Sequence, residues 1–249
     1  MMPDPGRLVG KLGLRAPLIA VYDAPSTEGF EPLVTPVPGR HVCMFEFYPN
    51  FLEGETLLLT RENFGCGGAG TWLCGVRTRT RDDYVKFLYE GEGLKCSREA
   101  MEKWFDNARS YRMEHANVLI GPLREDRYGL AKSITFFVNP DTLSILVIGA
   151  HYCSLPGGPP AVIAPFGAGC MEMLSLFDDL DRPQAVIGAT DVAMRRHLPP
   201  DILAFTVTKP LFEQLCAMDE QSFLFKPMAQ SCSNSSAPWM NRASSSSPS

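Results

Sequence analysis

Two cysteines stand where a glycine-rich turn runs into a helix-forming segment. Phe64-Gly65-Cys66-Gly67-Gly68-Ala69-Gly70 leads towards Trp72 and Leu73, and Phe166-Gly167-Ala168-Gly169-Cys170 leads into residues 171–177. A thiol at a helix N-terminus faces unpaired backbone N–H groups and the positive end of the helix dipole, which favours thiolate and lowers its pKa. Cys66 and Cys170 are therefore candidates for a nucleophile or a metal ligand. Glycines beside them, chiefly Gly65, Gly67 and Gly169, carry no Cβ and would let a cofactor approach the backbone. The same glycines are equally what a tight turn packed on a sheet requires. A free cysteine is also more often a small buried hydrophobe than a ligand.

The elements that must hold these turns alternate along the chain. Strands are expected at residues 17–22, 56–60, 117–121, 133–138, 161–164, 185–189 and 202–207, each a short apolar run bounded by turn formers. Helices are expected after Cys66, at 82–89, at 97–112 with Ser97 as N-cap, at 139–148 with Asn139-Pro140 at its start, at 171–177, in a short piece ending at Arg195-Arg196-His197, and at 210–218. Residues 41–47 are apolar and aromatic with a period that separates neither helix from strand. Such alternation points to an α/β or α+β fold, a mixed sheet with packed helices, in one domain over residues 1–228. Residues 229–249 are rich in Ser, Asn and Pro and are expected to be disordered. Cys232 lies there. The run Leu57-Leu58-Leu59-Thr60 followed by Cys66 echoes Ala161-Val162-Ile163-Ala164 followed by Cys170. The echo is either a duplicated strand-turn-helix unit or a chance agreement of two short segments.

Composition narrows the function classes. The chain has 249 residues, 45% of them apolar, enough for a substantial core. Its net charge of −5 provides no basic field for a nucleic-acid backbone. No apolar run approaches the roughly 20 residues a membrane helix needs. The N-terminus lacks the pattern of a secretory signal. With eight cysteines, the expectation is free thiols in a reducing cytoplasm.

Other motifs carry less. Gly65-x-Gly67-x-x-Gly70 satisfies the dinucleotide fingerprint in form, but it stands off from its strand and lacks the acidic partner further on. There is no Walker A sequence, no Gly-x-Ser-x-Gly elbow and no His-Glu-x-x-His helix. His41, His115, His151 and His197 read more readily as surface or hydrogen-bonded histidines than as ligands or bases. Arg77, Arg79 and Arg81 alternate as on a solvated extended segment. Asp178-Asp179-Leu180-Asp181 lacks the ligand spacing of a calcium loop.

The order of several short motifs resembles the bacterial and archaeal domain of unknown function 169 family. They are Leu12-Gly13-Leu14 before Pro17-Leu18-Ile19-Ala20-Val21, His41-Val42-Cys43, the turn at Gly65 to Gly70, Phe166-Gly167-Ala168-Gly169-Cys170, Gln184 to Ala189, and Leu203-Ala204-Phe205 with Pro210-Leu211-Phe212. The likeness spans about residues 8–218. It implies no reaction. It does imply cysteines at the positions of Cys43, Cys66 and Cys170 and, with them, metal or iron–sulfur binding. The run Gly67-Gly68-Ala69-Gly70 is more glycine-rich than the family pattern. No Cys-x-x-Cys pair occurs, so zinc-ribbon and ferredoxin spacings are absent and any centre must be assembled by the fold from three distant segments. Cys74 would lie about 12 Å and about 80° from Cys66 on a common helix, too far to share an ion. It reads as a packing residue, as do Cys96, Cys153 and Cys216.

Three functions follow for comparison. The leading one is a cytoplasmic protein holding a metal ion or iron–sulfur cluster through Cys43, Cys66 and Cys170 for redox chemistry, with a small molecule or redox protein as partner. The second is a metal-free enzyme using Cys66 as nucleophile. The third is a non-catalytic small-ligand or interaction module whose cysteines are structural.

Overall fold

In the computed structural model, which describes residues 1–108, 113–154, 157–227 and 229, the described residues build one eight-stranded mixed sheet flanked by helices. The strands are β1 (Ile19–Ala24), β2 (Leu33–Val34), β3 (Thr56–Leu59), β4 (Asn117–Pro122), β5 (Ala131–Val138), β6 (Val162–Ile163), β7 (Ala185–Gly188) and β8 (Leu203–Thr208). Their order is β2-β3-β4-β1-β5-β8-β7-β6. β2 pairs parallel with β3 and β6 parallel with β7, while every other neighbouring pair is antiparallel. The mixed α/β architecture read from the alternating pattern is the one observed.

The order contains its own repeat. β1 to β4 and β5 to β8 are arranged alike, each with its first strand at the centre, its second at an edge and the same parallel pair at that edge. A parallel pair cannot be closed by a tight turn, so each half needs a crossover. Residues 35–55 make the first and carry Cys43; residues 164–184 make the second and carry Cys170. The repeated unit is therefore four strands with one crossover. It sets Cys43, and not Cys66, in the place corresponding to Cys170. The echo between the β3 and β6 segments paired the wrong strands, because short apolar runs in buried strands resemble one another whatever their place in a sheet.

Alternation along the strands divides the core into two faces. Ile19 and Val21 of β1, Leu57 and Leu59 of β3, Val118 and Ile120 of β4, and Ala204 of β8 join one buried cluster with residues of both crossovers: Met44, Phe45 and Phe51 from the first, Met171, Met173 and Leu174 from the second. Both crossovers thus cover the same face. Opposite, Phe136, Phe205 and Val207 pack with Leu8, Leu146 and Phe212, which lie on α1 (Gly6–Leu12), α6 (Pro140–His151) and α8 (Lys209–Cys216).

Several elements had no sequence expectation, among them α1 and the two-residue edge strand β2. Residues 41–47 resolve into a 3-10 turn, Met44–Phe47, running into α2 (Tyr48–Leu52), with Pro49 in its first turn. The expected helix at 82–89 is α4 (Arg81–Lys86), continued by a wider turn over Phe87–Gly91. The helix expected at 97–112 is α5 (Arg98–Asn107), capped by Ser97 and ended by an extended Ala108; residues 109–112 lie outside the described ones, as do 155–156 and 230–249 with Cys232. The helix expected at 171–177 is only α7 (Gly169–Glu172): the Leu174 and Leu176 N–H groups both turn to the Met171 carbonyl, and the Met173 carbonyl accepts from the Ser133 hydroxyl on β5 at 2.5 Å. No helix among the described residues is long and apolar enough to cross a membrane.

Candidate functional site

Cys66 is the N-cap of α3 (Gly67–Trp72), and its Sγ accepts the Ala69 N–H at 3.4 Å. Cys43 is the N-cap of the 3-10 turn, and its own N–H donates to the Glu46 carboxylate at 3.1 Å. Cys170 is the second residue of α7 and is 6% exposed. Three helix starts from the two crossovers and the β3–β4 connection carry the three thiols.

Backbone contacts bring these starts together. The Val42 N–H donates to the Gly65 carbonyl at 3.1 Å, which lays Cys43 alongside Cys66. Gly65 is at φ 76°, and a Cβ there would stand 2.6 Å from the Val42 carbonyl oxygen, so this pairing needs glycine. α3 and α7 are then fastened to one another. The Ser175 hydroxyl donates to the Trp72 carbonyl at 2.8 Å, and Trp104 of α5 donates from Nε1 to the Phe166 carbonyl at 3.3 Å. The consequence is visible at Gly68, where a Cβ would lie 3.3 Å from Cys170 Sγ and 3.8 Å from Cys66 Sγ. Both sulfurs face the side of Gly68 that has no side chain.

The three expected cofactor glycines have protein on that side. A Cβ on Gly67 would meet the Thr78 and Tyr84 hydroxyls at 3.1 and 3.5 Å. One on Gly169 would meet Phe45 at 2.8 Å and Met194 at 3.0 Å, so Gly169 lets α7, the Cys43 turn and the chain after β7 close on one another.

The seven cysteines among the described residues carry no disulfide. The three candidate thiols nevertheless do not form a compact ligand set. Among the described residues, the only trio of side chains whose potential metal-ligating atoms all lie within 4.8 Å of one another is Asp23, Glu114 and His115, and that trio could hold a metal ion. Asp23 is 2% exposed, and its carboxylate already accepts the Glu114 N–H at 2.8 Å and the His115 N–H at 3.0 Å, with His115 Nδ1 at 3.0 Å. These bonds anchor the segment entering β4, a sufficient reason for a buried carboxylate.

The expectation of a lowered thiol pKa is overturned. Burial is the first cause at all three sites and pushes the thiols up, Cys43 to about 11 and Cys170 well above its ordinary value. Backbone N–H groups of Ala69 and Gly68 pull Cys66 down, but by less than burial raises it. Neighbouring charge adds to the rise. Asp191 acts on all three thiols, Cys66 on both Cys43 and Cys170, and Cys43 on Cys170. The thiols are near enough to oppose one another's ionisation, and helix termini of a few residues do not offset desolvation.

Acidic residues lie near the thiols, none of them among the candidates read from sequence. Asp191 Oδ2 accepts the N–H of Gly169, the residue before Cys170, at 3.1 Å. Glu172, 1% exposed on α7, accepts the Ala189 N–H and the Thr190 hydroxyl, both at 2.6 Å, clamping the chain that leaves β7. Ala189 there has φ 61°, a left-handed conformation costly for a residue with a Cβ. Glu46 lies 3.9 Å from His197 Nε2, whose side chain is largely buried. No local spacing announces these groups, since each comes from a different connection. His41 is exposed, and the remaining set-aside cysteines are placed as packing or surface residues: Cys74 buried, Cys216 half-buried, Cys96 and Cys153 exposed.

Comparison with curated proteins and with solved structures finds no match. The family model described as Uncharacterised ArCR, domain of unknown function 169, matches residues 7–218, a span that takes in all eight strands and the Cys43, Cys66 and Cys170 turns; the chain belongs to that family.

Proposed function

We propose that this protein binds a thiophilic metal centre through Cys43, Cys66 and Cys170, in the form of an iron–sulfur cluster, and serves redox chemistry. The observation that carries the reading is the convergence of Cys66 and Cys170 sulfurs over Gly68, with Cys43 held beside Cys66 by the Val42–Gly65 pairing. Free thiols are the donor set such a centre takes.

Spacing favours a cluster over a lone ion. Tetrahedral zinc with bonds of about 2.3 Å draws its sulfurs to roughly 3.8 Å from one another. The three sulfurs here do not all fall within 4.8 Å. A cluster interposes its own iron and sulfide between the protein ligands and so accepts a wider set. Charge favours a metal over a bare thiolate. Asp191 and the mutual repulsion of the thiols oppose anions at this place, and the same negative surroundings stabilise a cation. A metal-free nucleophile at Cys66 would have to form against burial and Asp191 together. When bound, the centre would supply electron transfer. The chain's own part is to orient the three sulfurs, exclude water around Cys170 and surround the site with negative charge.

Anaerobic reconstitution with ferrous iron and sulfide, followed by visible absorption and iron and sulfide analysis, tests the reading. The wild-type protein is expected to become coloured and to retain both elements through gel filtration, and Cys43→Ser, Cys66→Ser and Cys170→Ser each to lose them while still folding. A colourless, iron-free wild-type protein would overturn it and leave the cysteines with structural roles.

A further inference from the structure

We infer that Asp191 supplies the fourth protein ligand of this centre, an oxygen ligand in the position that corresponds to Cys66 in the other half of the sheet. The inference rests on the proposed three-thiol centre. In the first half the edge crossover carries Cys43 and the chain after β3 carries Cys66; in the second the crossover carries Cys170 and the chain after β7 carries Asp191. The repeat therefore offers four equivalent places, three filled by thiols and the fourth by a carboxylate.

Side-chain geometry agrees with that placement. Asp191 Oδ2 takes the Gly169 N–H at 3.1 Å and Oδ1 takes the Ala193 N–H at 2.9 Å, so the carboxylate is pinned one residue from Cys170. An ionised carboxylate has about four acceptor sites, and two remain after those bonds. Gly169 is pressed between Phe45 of the Cys43 turn and Met194 of the Asp191 turn, so these two turns meet at the start of α7. The negative charge of Asp191 reaches Cys43, Cys66 and Cys170 alike. Glu172 fixes the approach by holding Ala189 and Thr190. Asp191 is half-buried while Val192 beside it is 77% exposed, so this side of the site opens to solvent. Carboxylate is a harder ligand than thiolate and suits iron less well. The Asp191 position is thus the exchangeable one, where a small oxygen- or sulfur-bearing ligand would enter.

The test compares wild type, Asp191→Ala, Asp191→Asn and Asp191→Cys after the same anaerobic reconstitution, read by iron content, electron paramagnetic resonance and apo-protein melting. Asp191→Ala is expected to retain a cluster but to lose about one iron per chain and to change its resonance signal. Asp191→Cys is expected to restore the iron and shift the signal and visible absorption as a fourth thiolate enters. Asp191→Asn, which keeps an oxygen for the Gly169 N–H and loses only the bond from exposed Ala193, is expected to melt slightly below wild type without its cluster and still to show an altered signal. If all three variants give the wild-type iron content and signal, Asp191 is not a ligand, whatever happens to their melting. If wild type itself takes up no iron, it is the underlying three-thiol reading that fails.

Discussion

At the scale of single residues the site is a contest between two effects on a thiol. A helix start stabilises an adjacent anion by about 0.3–1 kcal/mol. Desolvation opposes the same anion, and at Cys66, where the Ala69 N–H reaches Sγ at 3.4 Å, burial is still the larger cause. Alkylation under mild conditions near neutral pH is therefore expected to modify exposed Cys96 and Cys153 well before Cys43, Cys66 and Cys170. Peptide mass mapping over time checks this, and early selective labelling of Cys66 would revive the nucleophile reading. A second expectation separates two glycines of one turn. Gly65→Ala forces φ 76° and a 2.6 Å approach to the Val42 oxygen, and should cost about 2 kcal/mol or more in chemical denaturation. Gly68→Ala places a methyl 3.3 Å from Cys170 Sγ, and should change apo stability by about 1 kcal/mol or less while cutting iron uptake severalfold. Equal effects of the two on folding and uptake would contradict this division of labour. The thiols and their glycines could be picked out of the sequence because their types are local. Asp191, Glu172 and Glu46 could not be assigned to the site, since only the fold brings them there.

Elements were legible where a cap and a period agreed. Ser97 accepts the Ala100 N–H at 3.1 Å and Asn139 the Thr142 N–H at 2.9 Å, as their positions ahead of apolar runs imply. They were illegible where tertiary contacts overrode local preference. α7 stops early, with the Leu174 N–H on the Met171 carbonyl and the Met173 carbonyl bound by Ser133 of β5, and β2 is two residues long and exists through its pairing with β3. α7 also carries the element-scale prediction. Glu172 reaches from α7 to the end of β7, and two bonds of 2.6 Å hold Ala189 and Thr190 to α7. Glu172→Leu removes both acceptors and leaves the buried Ala189 N–H without its partner, so apo stability should fall by about 1–3 kcal/mol. Because the chain it clamps leads to Asp191, iron retention should fall as well. Unchanged denaturation midpoints for this variant would show that the clamp contributes nothing.

At the scale of the whole molecule, two like-ordered halves share one sheet, and the crossovers of both cover one face. Strand and helix alternation announced the layers. It could not announce strand order, because the β2–β3 and β6–β7 pairs depend on contacts far apart in sequence. The two faces have thiols of their own away from the site: Cys74 in the cluster under α3, and Cys216 on α8 packed against the opposite one. Burial, the first cause for both, raises each from the ordinary 9.0 to about 12. The sign follows from proton counting. In that interval the unfolded chain releases protons that the folded chain retains, so stability is level below about pH 9 and is lost as pH climbs towards about 12. For the buried Cys74 the loss approaches about 1.4 kcal/mol per pH unit at its steepest. Urea unfolding of the reduced apo protein across this range should show the decline, and Cys74→Ala should flatten its slope despite lowering stability below pH 9 through the cavity it leaves. A variant that keeps the full wild-type slope would mean that Cys74 ionises as freely in the folded protein as in the unfolded chain, against its place in the core.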